Sequence, residues 1–440
     1  MIELTGIASS KIHLFFLETV FLVLLFLIAT LGESVLSPLL IVCISIAIIF
    51  IFVGSVSKAE EFRFLIILCV CSFLLRVSLA IIINSFAVFF GPDAGTYDRD
   101  AWNLAQELRR GQTDTIMEYN GYTRFVAAIY FVFGHTLIGA KIVNGFLGTL
   151  VVIFIYFIVK EIYGNKVAGI ASLLVAFFPS LILWSALLLK DTLTGFLIVL
   201  AIWNTMRLHN QFRIRSIIIL LVSIACLTQL RYYIVPFIAI SIFTSFFIRP
   251  SQGLFRSISI AVIVILLFAV AWQYMPEKTK ERYDSYSISI TEIDEVRSGF
   301  AVGGSEFTGE MKINSYTGAL KFLPLGLLYY FFGLFPWQAH GLRQIVTIPE
   351  VLIWYCLVPF MIYGFIYAVK KTAIKAYLIL IYTMLMTLAY TFGITNMGAL
   401  YRFRAQMLVF YFIFVALGIT RFRDRKLNVD EQNQSYQNYR

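Results

Sequence analysis

The stretch that decides the fold runs from Lys141 to Lys160 and reads KIVNGFLGTLVVIFIYFIVK. No charged residue lies between its terminal lysines, and its polarity does not alternate from residue to residue. A transmembrane β-strand would alternate over segments of about 10 residues. An apolar run of about 17–20 residues instead matches a helix that crosses a hydrocarbon core of about 30 Å. The stretch therefore predicts a transmembrane helix.

The composition extends this prediction to the whole chain. Of its 440 residues, 60% are hydrophobic and 14% are charged. A water-soluble protein of this size would need a far more polar surface. In hydrocarbon every backbone amide must find a partner within the structure, which favours helices. We therefore predict an all-α fold, a polytopic transmembrane helical bundle in one domain over residues 1–420. A polar cytoplasmic tail, disordered toward its end, is predicted over 421–440.

Loop charge indicates the orientation of the bundle. The net charge is +10, and in a membrane protein such an excess marks cytoplasmic loops rather than a nucleic-acid site. Basic clusters lie at 207–215, 249–256, 370–375 and 421–426. Placing all four inside gives about 12 crossings with both termini in the cytoplasm. The expected location is the inner membrane of a bacterium.

This orientation requires that the apolar run 318–335 does not cross the membrane completely. A full crossing would move the basic residues that follow it to the outer face. Four residues suited to a broken, re-entrant helix lie in or just after the run: Pro324, Gly326, Gly333 and Pro336. Two long outer loops result, at 84–124 and 276–349, and interfacial helices are predicted in the first.

The first outer loop carries a candidate catalytic carboxylate. From Gly91 it reads GPDAGTYDRDAWNLAQ. In a helix, Asp93 and Tyr97 would lie one turn apart on the same face. Trp102 begins an apolar stripe that is typical of a helix at the membrane interface. Spacing alone leaves two interpretations of Asp93, a functional carboxylate and a helix cap.

A second candidate is the pair Lys190–Asp191, at the predicted outer end of two helices. Charged groups beside apolar runs are costly unless they are paired or functional. The alternative is that Asp191 caps a helix while Lys190 extends its amine toward the interface. Both interpretations stay open at this point.

Further polar residues lie at predicted outer ends of spans. Arg231 and Tyr232 occupy a very short turn between two apolar runs, and Asn396, Arg402 and Arg404 lie beside the last span. Positive charge is not needed there for orientation. Because a guanidinium group can bind phosphate through two parallel hydrogen bonds, we expect these residues to bind substrate. Contact with lipid headgroups or outer acids is the alternative.

Together these groups suit a substrate with a lipid tail, a phosphate and a sugar. Displacing a lipid phosphate from a sugar requires a base that takes the proton of the acceptor. It also requires cations that stabilise the departing phosphate. Since phosphate leaves as an anion, no strong general acid is needed.

These motifs resemble the glycosyltransferase-C superfamily, the membrane transferases that use polyprenyl-phosphate sugars, including protein mannosyltransferases and aminoarabinose transferases of lipid A. The resemblance covers about residues 60–410. Asp93 followed by Tyr97 is similar to the acidic first outer loop of the family. The other matching positions are an acid and two arginines near the donor phosphate: Asp191, Arg231 and Arg402.

The resemblance implies transfer of a sugar from a polyprenyl-phosphate donor to a glycan, lipid or protein acceptor on the extracytoplasmic face. Asp93 and Asp191 are the implied catalytic carboxylates, and membrane lipids are the other expected partners. Ala94 follows Asp93 where the family has an Asp-Glu pair, so no cofactor is assigned and a divalent metal remains an open alternative. The cysteines and histidines show no metal-ligand spacing. Without a large soluble C-terminal domain, a peptide acceptor is less expected.

Two other functions compete with this one. A polysaccharide polymerase or ligase that uses undecaprenyl-linked glycans would centre its chemistry on His340 and Arg343 in the second outer loop. A flippase for lipid-linked oligosaccharides, or another transporter, would place charges at the membrane midplane and often contain an internal repeat. Most charges here lie at span ends and no repeat is evident, which favours the glycosyltransferase.

Overall fold

The computed structural model describes residues 33–86, 93–248, 315–333, 335, 337, 342–394 and 396–438. Within these residues every regular element is helical, in agreement with the predicted all-α class. The first helices are α1 (Glu33–Val56), α2 (Ala59–Ser85), α3 (Asp93–Arg109), α4 (Gly121–Phe133), α5 (Leu137–Tyr163), α6 (Asn165–Phe177) and α7 (Pro179–Ser185). Those that follow are α8 (Lys190–Asn210), α9 (Ile214–Arg231), α10 (Val235–Ile248), α11 (Tyr316–Phe332), α12 (Leu342–Lys371), α13 (Ala373–Gly393) and α14 (Met397–Asn438).

Seven apolar helical stretches in the described residues have the length and composition to cross a membrane. Helices α6 and α7 would add an eighth as one broken span, bent by 56°. These stretches support an integral membrane protein. The predicted number of about 12 crossings is not confirmed. Two further apolar stretches of the sequence, 14–31 and 257–275, lie outside the described residues. One stretch, Ile214–Ile248, contains both α9 and α10.

Two compact units make up the chain: residues 1–150 with 185–189, and residues 151–184 with 190–440. The smaller unit contains the predicted first outer loop. There α3 is followed by Gly111 in the left-handed conformation (φ 79°), as expected for a glycine after a helix. The side chain of Asn120 caps α4 by accepting hydrogen bonds from two backbone amides.

In the larger unit, α8, α9 and α10 run back and forth between two faces. Asp191, at the start of α8, bonds to Arg231, at the end of α9. His209, near the end of α8, lies 3.1 Å from Ser245, near the end of α10, between Nε2 and Oγ. The chain therefore reverses at the 3-10 turn Tyr232–Ile234. This reversal agrees with the short turn predicted at Arg231.

Other helix ends of the larger unit lie at the same level as His209. Asn210 Nδ2 donates to Glu161 Oε1 at 2.5 Å, and Thr372 Oγ1 donates to Tyr163 at 3.5 Å. The Arg421 guanidinium lies 4.9 Å from the ring centroid of Tyr367. The basic clusters at the ends of α8, α12 and the apolar part of α14 consequently share one face, as the loop-charge argument requires.

Helix α11 runs from the opposite face toward the interior of the larger unit. The ring of Phe322 lies 6.3 Å from that of Phe392, near the end of α13. Deeper in, the hydroxyls of Tyr330 and Tyr411 are 3.1 Å apart. The apolar part, Thr317–Phe332, is shorter than the seven candidate spans. Re-entry of 318–335 stays a prediction.

The polar tail differs from its prediction. Helix α14 continues to Asn438, through residues expected to be disordered. Extending an existing helix avoids the cost of nucleation, and Glu, Gln, Lys and Arg are good helix formers. The polar composition of the tail therefore did not prevent helix formation.

Candidate active site

The carboxylate of Asp191 is the centre of a buried polar cluster in the larger unit. Its side chain is only 3% exposed. Oδ1 accepts hydrogen bonds from Arg231 Nη2 at 2.5 Å and from Gln406 Nε2 at 2.6 Å. Oδ2 accepts from Arg402, at 2.7 Å from Nε and 2.6 Å from Nη2. We call these four residues the Asp191 cluster.

The helices bring the cluster together at the ends opposite the basic face. Asp191 lies in the first turn of α8, where backbone amides and the helix dipole favour a negative charge. Arg231 closes α9 as the chain turns. Arg402 and Gln406 lie on α14, four residues apart, so they project from the same side of that helix. Three sequence segments far apart in the chain thus supply one ionic site.

Charge dominates the chemistry of the Asp191 cluster. Burial alone would raise the pKa of Asp191, but the charges of Arg231 and Arg402, with hydrogen bonds from Arg402 and Gln406, hold that pKa below its usual range. The carboxylate is therefore ionised and is poorly suited to take up a proton. Two guanidinium groups and one carboxylate leave one net positive charge in the cluster.

Aromatic residues complete the surroundings of Arg231. Its guanidinium lies 4.4 Å from the ring centroid of Phe403, within range of a cation–π interaction. Its Nη1 donates to the hydroxyl of Tyr233. Tyr390 donates to Gln406 Oε1 at 3.1 Å. None of these neighbours was predicted from sequence. The four-residue spacing from Arg402 to Gln406 could have indicated that these two side chains share one face of α14.

Arg404 lies apart from the Asp191 cluster. Residues two positions apart on a helix project about 200° apart around its axis. Arg404 therefore lies on a different side of α14 from Arg402. Its Nη1 donates to the carbonyl of Phe331, the last turn of α11, at 3.0 Å. The guanidinium also lies 5.4 Å from the ring centroid of Tyr401. Of the three arginines expected to bind substrate, the structure brings Arg231 and Arg402 together at Asp191.

The remaining predicted residues of the larger unit have varied surroundings. Asn396 caps α14, because its Oδ1 accepts from the backbone amides of Gly398 at 2.8 Å and Ala399 at 3.2 Å. Lys190 and Tyr232 are half-buried, at the start of α8 and in the 3-10 turn. His340, which the polymerase alternative needs, lies outside the described residues, as does the side chain of Arg343.

In the smaller unit, Asp93 and Tyr97 differ in exposure. Asp93 is the first residue of α3 and is exposed. Tyr97 is buried, and its ring meets that of Tyr122 edge-on with centroids 4.8 Å apart. Tyr97 therefore anchors α3 to α4, while Asp93 remains accessible from solvent.

A buried amide in the smaller unit orders the segment before Lys190. Asn144 Nδ2 donates to the carbonyls of Leu187 at 2.7 Å and Leu189 at 3.0 Å. It also lies 2.8 Å from the hydroxyl of Tyr122. Sequence analysis placed Asn144 in the apolar stretch that decides the fold but gave it no role.

The described residues contain no group of three or more His, Cys, Asp or Glu side chains arranged to hold a metal ion. The divalent-metal alternative therefore has no ligand set in that part of the chain. The same residues supply cations, Arg231 and Arg402, that can stabilise an anionic leaving group.

Comparison with known proteins gives one match to a protein family. Residues 122–274 match the family described as dolichyl-phosphate-mannose-protein mannosyltransferase. The matched region is less than half of the chain. It contains Asp191 and Arg231, whereas Asp93 and Arg402 lie outside it. None of the curated proteins matches the chain.

Three solved structures align with the chain at low similarity. The oligosaccharyltransferase of Archaeoglobus fulgidus in the apo form has a TM-score of 0.46 and 13% identity, covering 86% of this chain and 53% of its own. ArnT from Cupriavidus metallidurans, bound to undecaprenyl phosphate, has a TM-score of 0.48 and 13% identity, covering 79% and 60%. AglB from Archaeoglobus fulgidus, with an inhibitory peptide and a dolichol-phosphate, has a TM-score of 0.48 and 13% identity, covering 86% and 52%.

The chain thus spans between 52% and 60% of the length of these three proteins. The region that matches the family contains two of the four residues of the Asp191 cluster, Asp191 and Arg231. The resemblance to the glycosyltransferase-C superfamily is confirmed by this match, since over residues 122–274 the chain is similar to the dolichyl-phosphate-mannose-protein mannosyltransferase family.

Proposed function

We propose that this protein transfers a sugar from a polyprenyl-phosphate donor to an acceptor on the extracytoplasmic face of a membrane. The observation that carries the proposal is the Asp191 cluster. It holds two arginines at one point, at the helix ends opposite the basic face. Preorganised cations of this kind stabilise the negative charge that develops on a departing phosphate.

In this proposal Asp191 acts by positioning. Both of its oxygens accept hydrogen bonds from cluster members, and burial beside two cations keeps it ionised. It fixes the guanidinium groups of Arg231 and Arg402 and offsets one of their charges. The net positive charge of these four residues would attract a lipid phosphate. Lys190 and Tyr232, beside this cluster in sequence and half-buried, remain candidate substrate-binding residues.

Asp93 is the proposed proton acceptor. The acceptor hydroxyl attacks the anomeric carbon of the donor, and the bond from that carbon to the phosphate oxygen breaks. The bonding pair leaves with the polyprenyl phosphate, while the hydroxyl proton passes to the carboxylate of Asp93. An exposed carboxylate in the first outer loop suits this role. The buried, ion-paired carboxylate of Asp191 does not suit it.

The proposal is tested by following lipid phosphate release from a radiolabelled polyprenyl-phosphate sugar with purified protein in nanodiscs. We expect Arg402→Lys to lose at least tenfold in transfer, because an ammonium group cannot reproduce the Nε and Nη2 pair that meets Asp191. Arg425→Lys, an exposed change on the same helix, is the matched control. Wild-type transfer by Arg402→Lys would contradict the phosphate role of the cluster.

The same assay separates the competing functions. A flippase would move the labelled lipid across the bilayer without cleaving the sugar–phosphate bond. A polymerase or ligase would accept a preassembled lipid-linked glycan and leave the single-sugar donor intact. Either outcome would replace the proposed donor class.

A further inference from the structure

A second polar cluster lies in the smaller unit, between α3 and the chain just after α4. Asp98 Oδ1 accepts a hydrogen bond from the hydroxyl of Tyr130 at 2.5 Å and is 3.0 Å from His135 Nε2. The ring of Trp102 lies beside His135, with centroids 5.0 Å apart. We call Asp98, Trp102, Tyr130 and His135 the Asp98 cluster. It shares no residue with the Asp191 cluster and does not include Asp93.

The hydrogen bonds fix which atoms of the Asp98 cluster are left as acceptors. An ionised carboxylate only accepts, so His135 must donate from Nε2, and a neutral imidazole then presents Nδ1 as an acceptor. Oδ2 of Asp98 accepts no hydrogen bond from the residues that the structure describes. The Asp98 side chain is 23% exposed and that of His135 is 43% exposed. Solvent can therefore reach a site where the carboxylate and the imidazole both offer hydrogen-bond acceptors.

The rings of the cluster hold this arrangement in place. Tyr130 and His135 meet edge-on with ring centroids 5.1 Å apart. Trp102 and Tyr130 also meet edge-on, at 6.4 Å. Burial and the hydrogen bond to Asp98 raise the pKa of Tyr130, so its hydroxyl remains a donor to the carboxylate. The imidazole and the carboxylate are thus oriented before any ligand arrives.

We propose that the Asp98 cluster binds the hydroxyl groups of a sugar and serves as the acceptor subsite of the transferase. Two acceptor atoms require a ligand that supplies hydrogen-bond donors. An ionised carboxylate or phosphodiester supplies none, and any anion is repelled by Asp98. A neutral polyol supplies several, and the adjoining aromatic rings suit its apolar faces. The acceptor assignment rests on the proposed function, whereas sugar binding itself does not.

Sugar binding by the Asp98 cluster would distinguish among the glycan, lipid and protein acceptors that the sequence left open. A glycan, or a lipid that carries a sugar, presents hydroxyl donors to Asp98 and His135. A bare peptide has no comparable set except at hydroxyl side chains. The donor phosphate and the acceptor sugar would then be bound by separate clusters of opposite character, one cationic and one rich in hydrogen-bond acceptors.

The test measures binding of simple sugars to the full chain in nanodiscs. Methyl α-mannoside, methyl β-glucoside and methyl β-galactoside are titrated while the fluorescence change that depends on Trp102 is isolated by comparison with Trp102→Phe. We expect saturable binding of at least one glycoside. Asp98→Asn and His135→Gln should each weaken it at least tenfold. Asp100→Asn, on the same helix and 30% exposed, should leave it unaltered.

Per-O-methylated versions of the same glycosides provide the chemical control, because they keep the ring but carry no hydroxyl donor. Loss of binding on methylation supports the proposal, and equal binding overturns it. Absence of saturable binding by all three glycosides, or competition by inorganic phosphate, overturns it as well. Tyr130→Phe keeps the carboxylate and should weaken binding less than Asp98→Asn, which separates loss of the site from loss of the fold.

These outcomes remain informative if the proposed transfer reaction fails. Sugar binding that depends on Asp98 without any transfer would leave the subsite standing and remove the transferase. Transfer with an acceptor KM unchanged in His135→Gln would leave the transferase standing and remove the subsite.

Discussion

At the scale of single residues, the buried carboxylate of Asp191 binds two arginines that lie far from it in the chain. Asp191, Arg231 and Arg402 were each selected, yet nothing in the sequence showed that one carboxylate would bind both arginines. That pairing depends on how α8, α9 and α14 pack, which local spacing does not encode. The side chain of Asn396 caps α14, and its expected role in substrate binding stays a prediction.

Replacing Asp191 by Asn tests the positioning role. The change removes the counter-charge of two arginines, of which Arg231 is 3% exposed. Breaking a buried ion pair from one side costs about 3–5 kcal/mol. We expect the free energy of unfolding in detergent to fall by an amount of this order, together with transfer activity. Asp100→Asn is the control, because its exposed pair with Arg99 contributes at most about 1 kcal/mol. Unchanged stability would show that the arginines find other partners.

Replacing Asp93 by Asn tests the proton acceptor. An amide keeps the shape of the side chain and can still cap a helix, but it does not take a proton at neutral pH. A well-placed base contributes about 10²–10⁴-fold in rate. We expect normal expression and folding with turnover reduced at least a hundredfold. Wild-type turnover on the true donor and acceptor would reduce Asp93 to a helix cap.

At the scale of helices, hydrophobic runs predicted most of the helices but not how closely neighbouring helices approach one another. Gly364 on α12 and Gly418 on α14 face one another, and a Cβ on Gly364 would overlap the carbonyl oxygen of Phe414. A Cβ on Gly418 would overlap the carbonyl oxygen of Phe360. Small residues allow membrane helices to pack backbone against backbone. The two glycines are 54 residues apart, so no local pattern pointed to their contact.

This crossing gives a prediction about stability. Gly364→Ala and Gly418→Ala should each force α12 and α14 apart, and we expect each to lower the midpoint of thermal unfolding. Gly195→Ala on α8 is the matched control, since a Cβ there meets nothing within 4 Å. Replacing a helical glycine by alanine without a clash should stabilise by up to about 1 kcal/mol. Equal behaviour of the three variants in a thermal-shift assay would mean that the crossing tolerates a methyl group.

At the scale of the whole chain, loop charge and side-chain contacts give the same arrangement of the larger unit. Charge predicted that the loops at 207–215 and 370–375 share the cytoplasmic face. The contacts of Asn210 with Glu161 and of Thr372 with Tyr163 bring those helix ends together. The sequence could not give the depth of α11, because 318–335 is apolar enough for either a crossing or a half-span. The depth of α11 depends instead on the residues from other helices that contact its last turn.

Those partners lead to a prediction about α11. The carbonyl of Phe331 accepts from Trp354 Nε1 at 2.7 Å, and that of Phe332 accepts from Tyr355 at 2.7 Å. In a membrane, carbonyls at a helix end that have no partner within the helix need hydrogen bonds from the rest of the protein. Trp354 and Tyr355 supply these bonds, so α11 can end inside the bundle. The chain would then enter and leave by the outer face. In a variant without the native cysteines, we expect Ser315→Cys and Trp337→Cys both to react with an impermeant thiol reagent applied outside.

The control for this measurement is Asn210→Cys, which should react only after the membrane is permeabilised, because it lies at the basic face. The three sites distinguish three topologies. Labelling of Ser315→Cys and Trp337→Cys from opposite sides would mean that α11 crosses completely, and the basic end of α12 would then need another explanation. Outside labelling of Asn210→Cys would invert the larger unit and place the Asp191 cluster on the cytoplasmic side, where the proposed extracytoplasmic transfer has no access to it. Outside labelling of the first two sites alone is the outcome that a half-span with a protein-capped end requires.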